Sequence, residues 1–182
     1  RSILIRNSLK KGFQDTTIEF SELLKNNLRH IFKLNEECEI IFSPSGTDSS
    51  LQIAAITQII SDKEITHILV ASDETGSGVA AALKGCHFEN TTALNYPIKK
   101  DTKIEGFRDV DLIQIPFRDQ NGALKTSNQL DQEVFDAVVK TRNEGRHIVL
   151  HTMDQSKLGY QSPSDEFIKK LNTLEDLSIQ II

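Results

Sequence analysis

Short apolar runs alternate along this chain with longer segments in which apolar residues recur at helical spacing. The short runs are rich in Ile, Val and Leu, which is typical of strands that are covered on both faces of a sheet. Six runs are predicted to be strands: residues 39–42, 67–71, 92–96, 110–115, 147–151 and 179–182.

Helices are predicted in the longer segments, because each of them can turn one apolar side toward a sheet. Ser162 is expected to cap the last helix, with Pro163 in its first turn. The other predicted helices cover residues 22–32, 47–60, 78–83 and 130–142. Gly85 is expected to end the helix at 78–83. Alternating strands and helices predict an α/β fold, a three-layer sandwich around a mostly parallel sheet.

The composition fits a single globular domain of 182 residues, with 38% hydrophobic and 26% charged residues. We expect one domain over residues 1–182, with a helical segment at 1–38 and an α/β core at 39–182. The apolar run at 177–182 looks like the start of a buried strand, and the chain does not begin with Met. We therefore expect a fragment of a longer protein.

Charge and cysteine content narrow the expected partners. The net charge is −5 and the basic residues are scattered, which argues against a nucleic-acid partner. No apolar run approaches the ~20 residues that span a bilayer, so no membrane partner is expected. Cys38 and Cys86 lack metal-ligand spacing and are expected to be small buried hydrophobes in a cytoplasmic protein. No metal site is predicted.

The first segment with candidate chemistry is residues 43–50, between a predicted strand and a predicted helix. Gly46 permits a close approach to the backbone, and the start of the helix offers free N–H groups. The hydroxyls of Ser45 and Thr47 add donors, so this turn is suited to a phosphate. An ordinary capped connection between strand and helix remains the alternative.

The second segment is residues 73–81, where Gly76, Gly78 and Ala81 match the dinucleotide-binding pattern G-x-G-x-x-G/A. Two acidic residues, Asp73 and Glu74, precede the glycines and would repel a pyrophosphate. We therefore favour a flexible turn near a site over an NAD-binding loop.

The third segment is residues 151–163, which follow a strand at the edge where open α/β sheets bind ligands. His151, Asp154 and Ser156 are candidates for contacts with a cofactor or substrate. A solvated loop that leads into the next helix is the alternative.

Three stretches together resemble the aminotransferase class V branch of the fold-type I enzymes that depend on pyridoxal 5'-phosphate (PLP), which includes cysteine desulfurases and related lyases. The first is the turn Ser45-Gly46-Thr47. The second is the strand and D-x-x-G segment at 115–122. The third is the strand and turn at 147–163, with Gly159 and Pro163 in the family's Gly-x-x-x-Pro pattern.

This resemblance assigns cofactor contacts to several residues. Gly46 and Thr47 would bind the PLP phosphate, with Ser45 as a neighbour. Thr75 falls near the position where the family places an aromatic residue or His over the pyridine ring. Ser156, three residues before Gly159, would contact the phenolic oxygen, and Asp154 is its possible substitute.

The resemblance also implies that no catalytic residue lies in this chain, because the Asp that pairs with the pyridine nitrogen and the Schiff-base Lys are expected after Ile182. The full-length enzyme would be a homodimeric transferase, such as an aminotransferase, or a lyase acting on an amino-acid substrate. This chain alone would be inactive. Two alternatives stay open: a Rossmann-like nucleotide or NAD-binding module that uses the Gly76 turn, and a non-catalytic α/β interaction domain.

Overall fold

The computed structural model describes residues 2–154, 156–174 and 177–182. Within these residues the chain forms six helices and four strands. In order they are α1 (Ser2–Lys11), α2 (Phe13–Phe32), α3 (Gly46–Ile60), β1 (Ile65–Val70), α4 (Val79–Leu83), β2 (Asp111–Ile115), α5 (Ser127–Asn143), β3 (His147–His151), α6 (Asp165–Leu171) and β4 (Ile179–Ile181).

The chain divides into two compact units, Arg1–Phe42 and Ser43–Ile182. The first unit holds α1 and α2, which meet at Gly12, and it contains the predicted helix at 22–32. Lys33 ends α2 in a left-handed conformation (φ 52°), and its N–H bonds to carbonyls of the last turn. Whether residues 1–182 form one domain stays a prediction.

The second unit is built on a four-stranded parallel sheet with the strand order β2-β1-β3-β4. Thr66 pairs with Asp111, Ile65 with His147, and Ile148 with Ile179. The structure confirms the α/β class, the parallel sheet and the four predicted strands at 67–71, 110–115, 147–151 and 179–182, with ends shifted by one or two residues.

Helices cover both faces of this sheet. Alternate residues of a strand point to opposite faces. On one face, α5 and α6 pack on the strands and form the larger core, which includes Ile68, Val70, Val134, Val138, Ile148, Leu150, Phe167 and Leu171. On the other face, Leu69 packs with Val79 and Leu83 of α4. The hydroxyl of Thr57 on α3 donates to the Gln180 side chain of β4 at 3.2 Å. This arrangement is compatible with a three-layer sandwich.

Two predicted strands are wrong. Residues 39–42 and 92–96 form no strand, although their apolar pattern resembles that of β1. A strand needs a partner for its backbone groups. Within the described residues nothing pairs with 39–42, where Ile41 and Phe42 are exposed. Residues 92–96 instead form a tight turn, in which the N–H of Thr92 donates to the carbonyl of Tyr96 at 2.9 Å.

The predicted start of the last helix is also wrong, by two residues. Ser164 is the N-cap of α6, and its Oγ accepts from the N–H of Phe167 at 3.2 Å. The carboxylate of Asp131 on α5 fixes Ser164 by accepting from its N–H at 2.9 Å and from its hydroxyl at 2.6 Å. Ser162 pairs through its backbone with Met153 and therefore belongs to the preceding loop.

The remaining helix predictions are confirmed, including the end of α4 at Gly85, which has a φ of 66°. The burial predicted for the two cysteines is wrong. Cys38 is exposed and Cys86 is half-buried, because neither lies in a strand or helix that packs on the core.

Two buried histidines lie between the sheet and its second helical layer. His67 of β1 and His151 of β3 share the face of Leu69, and Nδ1 of His67 lies 3.0 Å from Nε2 of His151. Burial lowers the pKa of His67 to about 3, and repulsion from His151 and His147 adds to this effect. Burial lowers the pKa of His151 to about 4. Both side chains are therefore neutral in the folded protein at pH 7.

We expect the protein to lose stability as the pH falls below about 6.5. The unfolded chain binds protons at His67 and His151 near pH 6.5, whereas the folded chain does not until about pH 4 or 3, so acid favours unfolding. Each histidine contributes up to about 1.4 kcal/mol per pH unit in this window. Urea unfolding at pH 7.5, 6.0 and 5.0 measures the slope. In a double variant, His67→Gln with His151→Gln, the free energy of unfolding should depend less steeply on pH. An equal dependence would show that these two histidines do not cause the loss of stability.

Candidate functional site

The first turn of α3 lies beside the loop that follows β1. A Cβ built on Gly78 would lie 3.0 Å from Cγ2 of Thr47 and 3.1 Å from Cβ of Phe88. A Cβ built on Gly76 would lie 3.6 Å from the hydroxyl oxygen of Thr47. The structure therefore brings together two segments that the sequence separates, the Ser45-Gly46-Thr47 turn and the Gly76–Gly78 turn.

The first turn of α3 is open to a ligand. Gly46 is exposed, and a Cβ built on it meets no atom within 4 Å. Within the described residues, the N–H groups of Gly46 and Thr47 have no hydrogen-bond acceptor. Free N–H groups and the helix dipole together favour an anion at such a position.

Two side chains at this turn are already engaged with each other. The Oγ of Ser45, the N-cap, accepts from the N–H of Asp48 at 3.2 Å. The Ser45 hydroxyl donates to the Asp48 carboxylate at 2.6 Å. Ser45 therefore acts first as a helix cap. The negative charge of Asp48 interacts with the same helix end and weakens its attraction for a second anion.

The loop after β1 is tied to the end of β2 by charged groups. The carboxylate of Asp73 accepts from the N–H of Phe117 at 2.7 Å and from that of Arg118 at 3.2 Å. The Arg118 guanidinium donates to Asp73 at 3.2 Å and to the buried carboxylate of Glu74 at 2.6 Å. The sequence gives Asp73 and Glu74 as two adjacent negative charges; the fold pairs both with one cation.

This pairing also sets the ionisation of Asp73. Desolvation by itself raises the pKa of the Asp73 carboxyl, but the hydrogen bonds from Phe117 and Arg118 outweigh it and lower the pKa below its usual value. Arg118 lies in the stretch 115–122 that carried the family resemblance, and no role was predicted for it. The sequence indicates the acidic character of Asp73 but not its pairing with Arg118, because the two residues are distant in sequence.

Of the remaining predicted contacts, Asp154 and Ser156 lie on the loop after β3, whereas His151 is a buried residue of β3 itself. Ser156 is buried, and its Oγ accepts from the N–H groups of Leu158 at 3.2 Å and Tyr160 at 3.1 Å. The Tyr160 ring meets the ring of Phe117 edge to face, with centroids 5.8 Å apart. Ser156 thus shapes its own loop, and within the described residues its hydroxyl proton has no acceptor. Asp154 is exposed.

The predicted site residues therefore fall into two groups. Thr75, half-buried, directly precedes Gly76 and belongs with Ser45, Gly46 and Thr47. Asp154 and Ser156 lie on the loop after β3. Within the described residues no hydrogen bond joins that loop to the first turn of α3. The cofactor roles assigned to these residues stay predictions.

The geometry of the Gly76 turn argues against the dinucleotide-binding alternative. The helix that follows, α4, has five residues, and Gly78 is its N-cap. Thr47 and Phe88 occupy the space against Gly78, where a pyrophosphate would approach the backbone. The turn therefore serves to receive Thr47 rather than to open onto a ligand.

Among the described residues, no group of three or more His, Cys, Asp or Glu side chains is placed to hold a metal ion. None of the helices in this part of the chain combines the length and the apolar character needed to cross a membrane.

Comparisons with protein-family models, with curated proteins and with solved structures found no match for this chain.

We expect Gly78→Ala to destabilise the protein and Gly76→Ala to leave it nearly unchanged. Neither glycine has a positive φ, so the comparison isolates the added methyl group. At Gly78 the methyl would crowd Thr47 and Phe88, and overpacking of this kind costs about 1–3 kcal/mol. At Gly76 the contact is an ordinary one at 3.6 Å. Urea unfolding compares the two variants, and equal stabilities would show that Thr47 does not pack against Gly78.

Proposed function

We propose that this chain is part of a fold-type I PLP-dependent transferase or lyase that acts on an amino-acid substrate, and that the first turn of α3 holds the PLP phosphate. The observation that carries the proposal is the open turn at Gly46 and Thr47, set against the Gly76–Gly78 loop at the end of a parallel strand. Ligands of open α/β sheets bind at this edge.

The described residues fit a phosphate group in several respects. Gly46 has no side chain to block access, and the N–H groups of Gly46 and Thr47 point out of the first turn. The Thr47 hydroxyl oxygen lies 3.6 Å from a Cβ built on Gly76, and this hydroxyl can donate to a phosphate oxygen. Asp48 opposes this binding, although the hydroxyl of Ser45 hydrogen-bonds to its carboxylate.

Each residue would have a limited task in this site. Gly46 and Thr47 would bind the phosphate, and Gly78 would hold Thr47 in place. Thr75 would face the cofactor from the loop after β1, and the hydroxyl proton of Ser156 would be available to an oxygen acceptor. PLP, when bound, supplies an electron sink for bond cleavage at the α-carbon of an amino acid.

The supports for this proposal are the resemblance of three stretches, their order along the chain and the open first turn of α3. Three predictions made from the sequence stay predictions: the homodimer, the cytoplasmic location, and a pyridine-binding Asp and Schiff-base Lys after Ile182. The non-catalytic interaction domain has no specific observation in its favour.

We expect Thr47→Ala to weaken binding of the cofactor's phosphate by about one to two decades. A hydrogen bond to a charged group contributes about 1.5–3 kcal/mol, which corresponds to that change in affinity. Pyridoxine 5'-phosphate is a suitable probe, because it carries the phosphate but has no aldehyde to react with surface lysines. Titration calorimetry measures its dissociation constant, with pyridoxine as the ligand that lacks phosphate.

Two variants control this experiment. Thr47→Ser keeps the hydroxyl and should bind nearly as tightly as the parent protein. Thr173→Ala removes a hydroxyl whose hydrogen bond, among the described residues, is to the carbonyl of Lys170, and it should leave the binding of the probe unchanged. If Thr47→Ala binds the probe as tightly as the parent, or if pyridoxine binds equally well, the phosphate does not lie at α3.

A further inference from the structure

A concavity of about 360 Å³ lies between the first half of α3 and the segment 86–104. We call it the α3 pocket. Its wall includes four large apolar side chains, each half-buried, so that they expose apolar surface to water inside one hollow: Leu51, Phe88, Ile98 and Ile104. Removing such surface from water favours a ligand with an apolar body.

The segment that forms most of this wall is fixed by its own backbone hydrogen bonds. The N–H of His87 donates to the carbonyl of Thr102 at 2.9 Å, and that of Ile98 to Asn90 at 3.0 Å. The N–H of Ile104 donates to Gly85 at 2.9 Å. The hollow is therefore formed before a ligand arrives, which reduces the ordering cost of binding.

The residues that line the α3 pocket carry a negative formal charge at pH 7, with His87 counted as neutral. Asp48 and Glu89 contribute carboxylates to its wall, and none of the residues that line it is Lys or Arg. Glu89 is exposed and, within the described residues, has neither a hydrogen bond nor an ion pair through its side chain. The carboxylate of Asp48 accepts only from Ser45 among the side chains described. The pocket is thus complementary to a cation and repels an anion.

We propose that the α3 pocket binds a small primary amine with an apolar or aromatic body. The body would lie against Leu51, Ile98 and Ile104, and the ammonium group would lie near Asp48 and Glu89. A volume of about 360 Å³ is in the range of small-molecule sites. This inference goes beyond the proposed function, because the ligand carries no phosphate and needs no PLP.

The test compares three ligands of similar size that differ in charge: 2-phenylethylamine, 2-phenylethanol and phenylacetate. Ligand-observed NMR titration at pH 7 and low salt, without PLP, gives their dissociation constants. The amine should bind up to about fivefold more tightly than the alcohol, because an exposed ion pair contributes up to about 1 kcal/mol, which corresponds to that factor in affinity. Phenylacetate should not bind.

Two substitutions separate the roles of charge and apolar surface. Glu89→Gln should weaken the binding of 2-phenylethylamine up to about fivefold and leave the binding of 2-phenylethanol unchanged. Ile98→Ala should weaken the binding of both ligands. Glu105→Gln is the matched control, since Glu105 is exposed and does not line the pocket.

Equal affinities for the amine and the alcohol would overturn the proposal, as would tighter binding of phenylacetate or no binding of any of the three ligands. The two proposals fail separately. If the amine does not bind, pyridoxine 5'-phosphate can still bind at the first turn of α3. If pyridoxine 5'-phosphate does not bind, the amine can still bind in the α3 pocket.

Discussion

The packing of Thr47 against the backbone of Gly78 is the contact on which the candidate site depends. It holds the first turn of α3 next to the loop after β1, and a methyl group at residue 78 would require Thr47 or Phe88 to shift by a few tenths of an ångström. The free N–H groups of a helix end are useful to a ligand only if they face a defined space. Here the Gly76–Gly78 turn receives the Thr47 side chain and so fixes the position of that helix end.

The second constraint is the pairing of Arg118 with Asp73 and Glu74. Without it, two carboxylates would follow β1 directly and would oppose any anion near Gly76. The guanidinium balances part of this charge and also joins the ends of β1 and β2. The acidic residues and the open helix end lie at the same edge of the sheet. Because Asp73 and Glu74 are hydrogen-bonded to Arg118, their charge opposes an anion at the helix end less strongly.

Much of the fold could be predicted, since periodicity and β-branched runs identify segments such as 147–151 without tertiary information. The run at 39–42 has a similar pattern but forms no strand, because pairing depends on a neighbour that local pattern cannot reveal. The cap of α6 shows the same limit. Ser162 and Ser164 are both good caps, and a carboxylate on α5 decides between them.

For the site, the turn at Ser45-Gly46-Thr47 was identified from its residue types. Its contact with Gly78 was not, because sequence spacing carries no information about that approach.

The strand order has a consequence for how this chain folds. Every pair of neighbouring strands joins distant segments, such as residue 65 with 147 and residue 66 with 111. None of the strands in the described part of the chain forms a hairpin that could nucleate the sheet locally, so long loops must close before the first ladder forms. Chains dominated by such non-local pairing fold slowly and expose apolar strands while they do so. In the folded protein α5 packs its apolar side on the central strands β1 and β3, so the apolar surface of these two strands stays exposed until the helix docks.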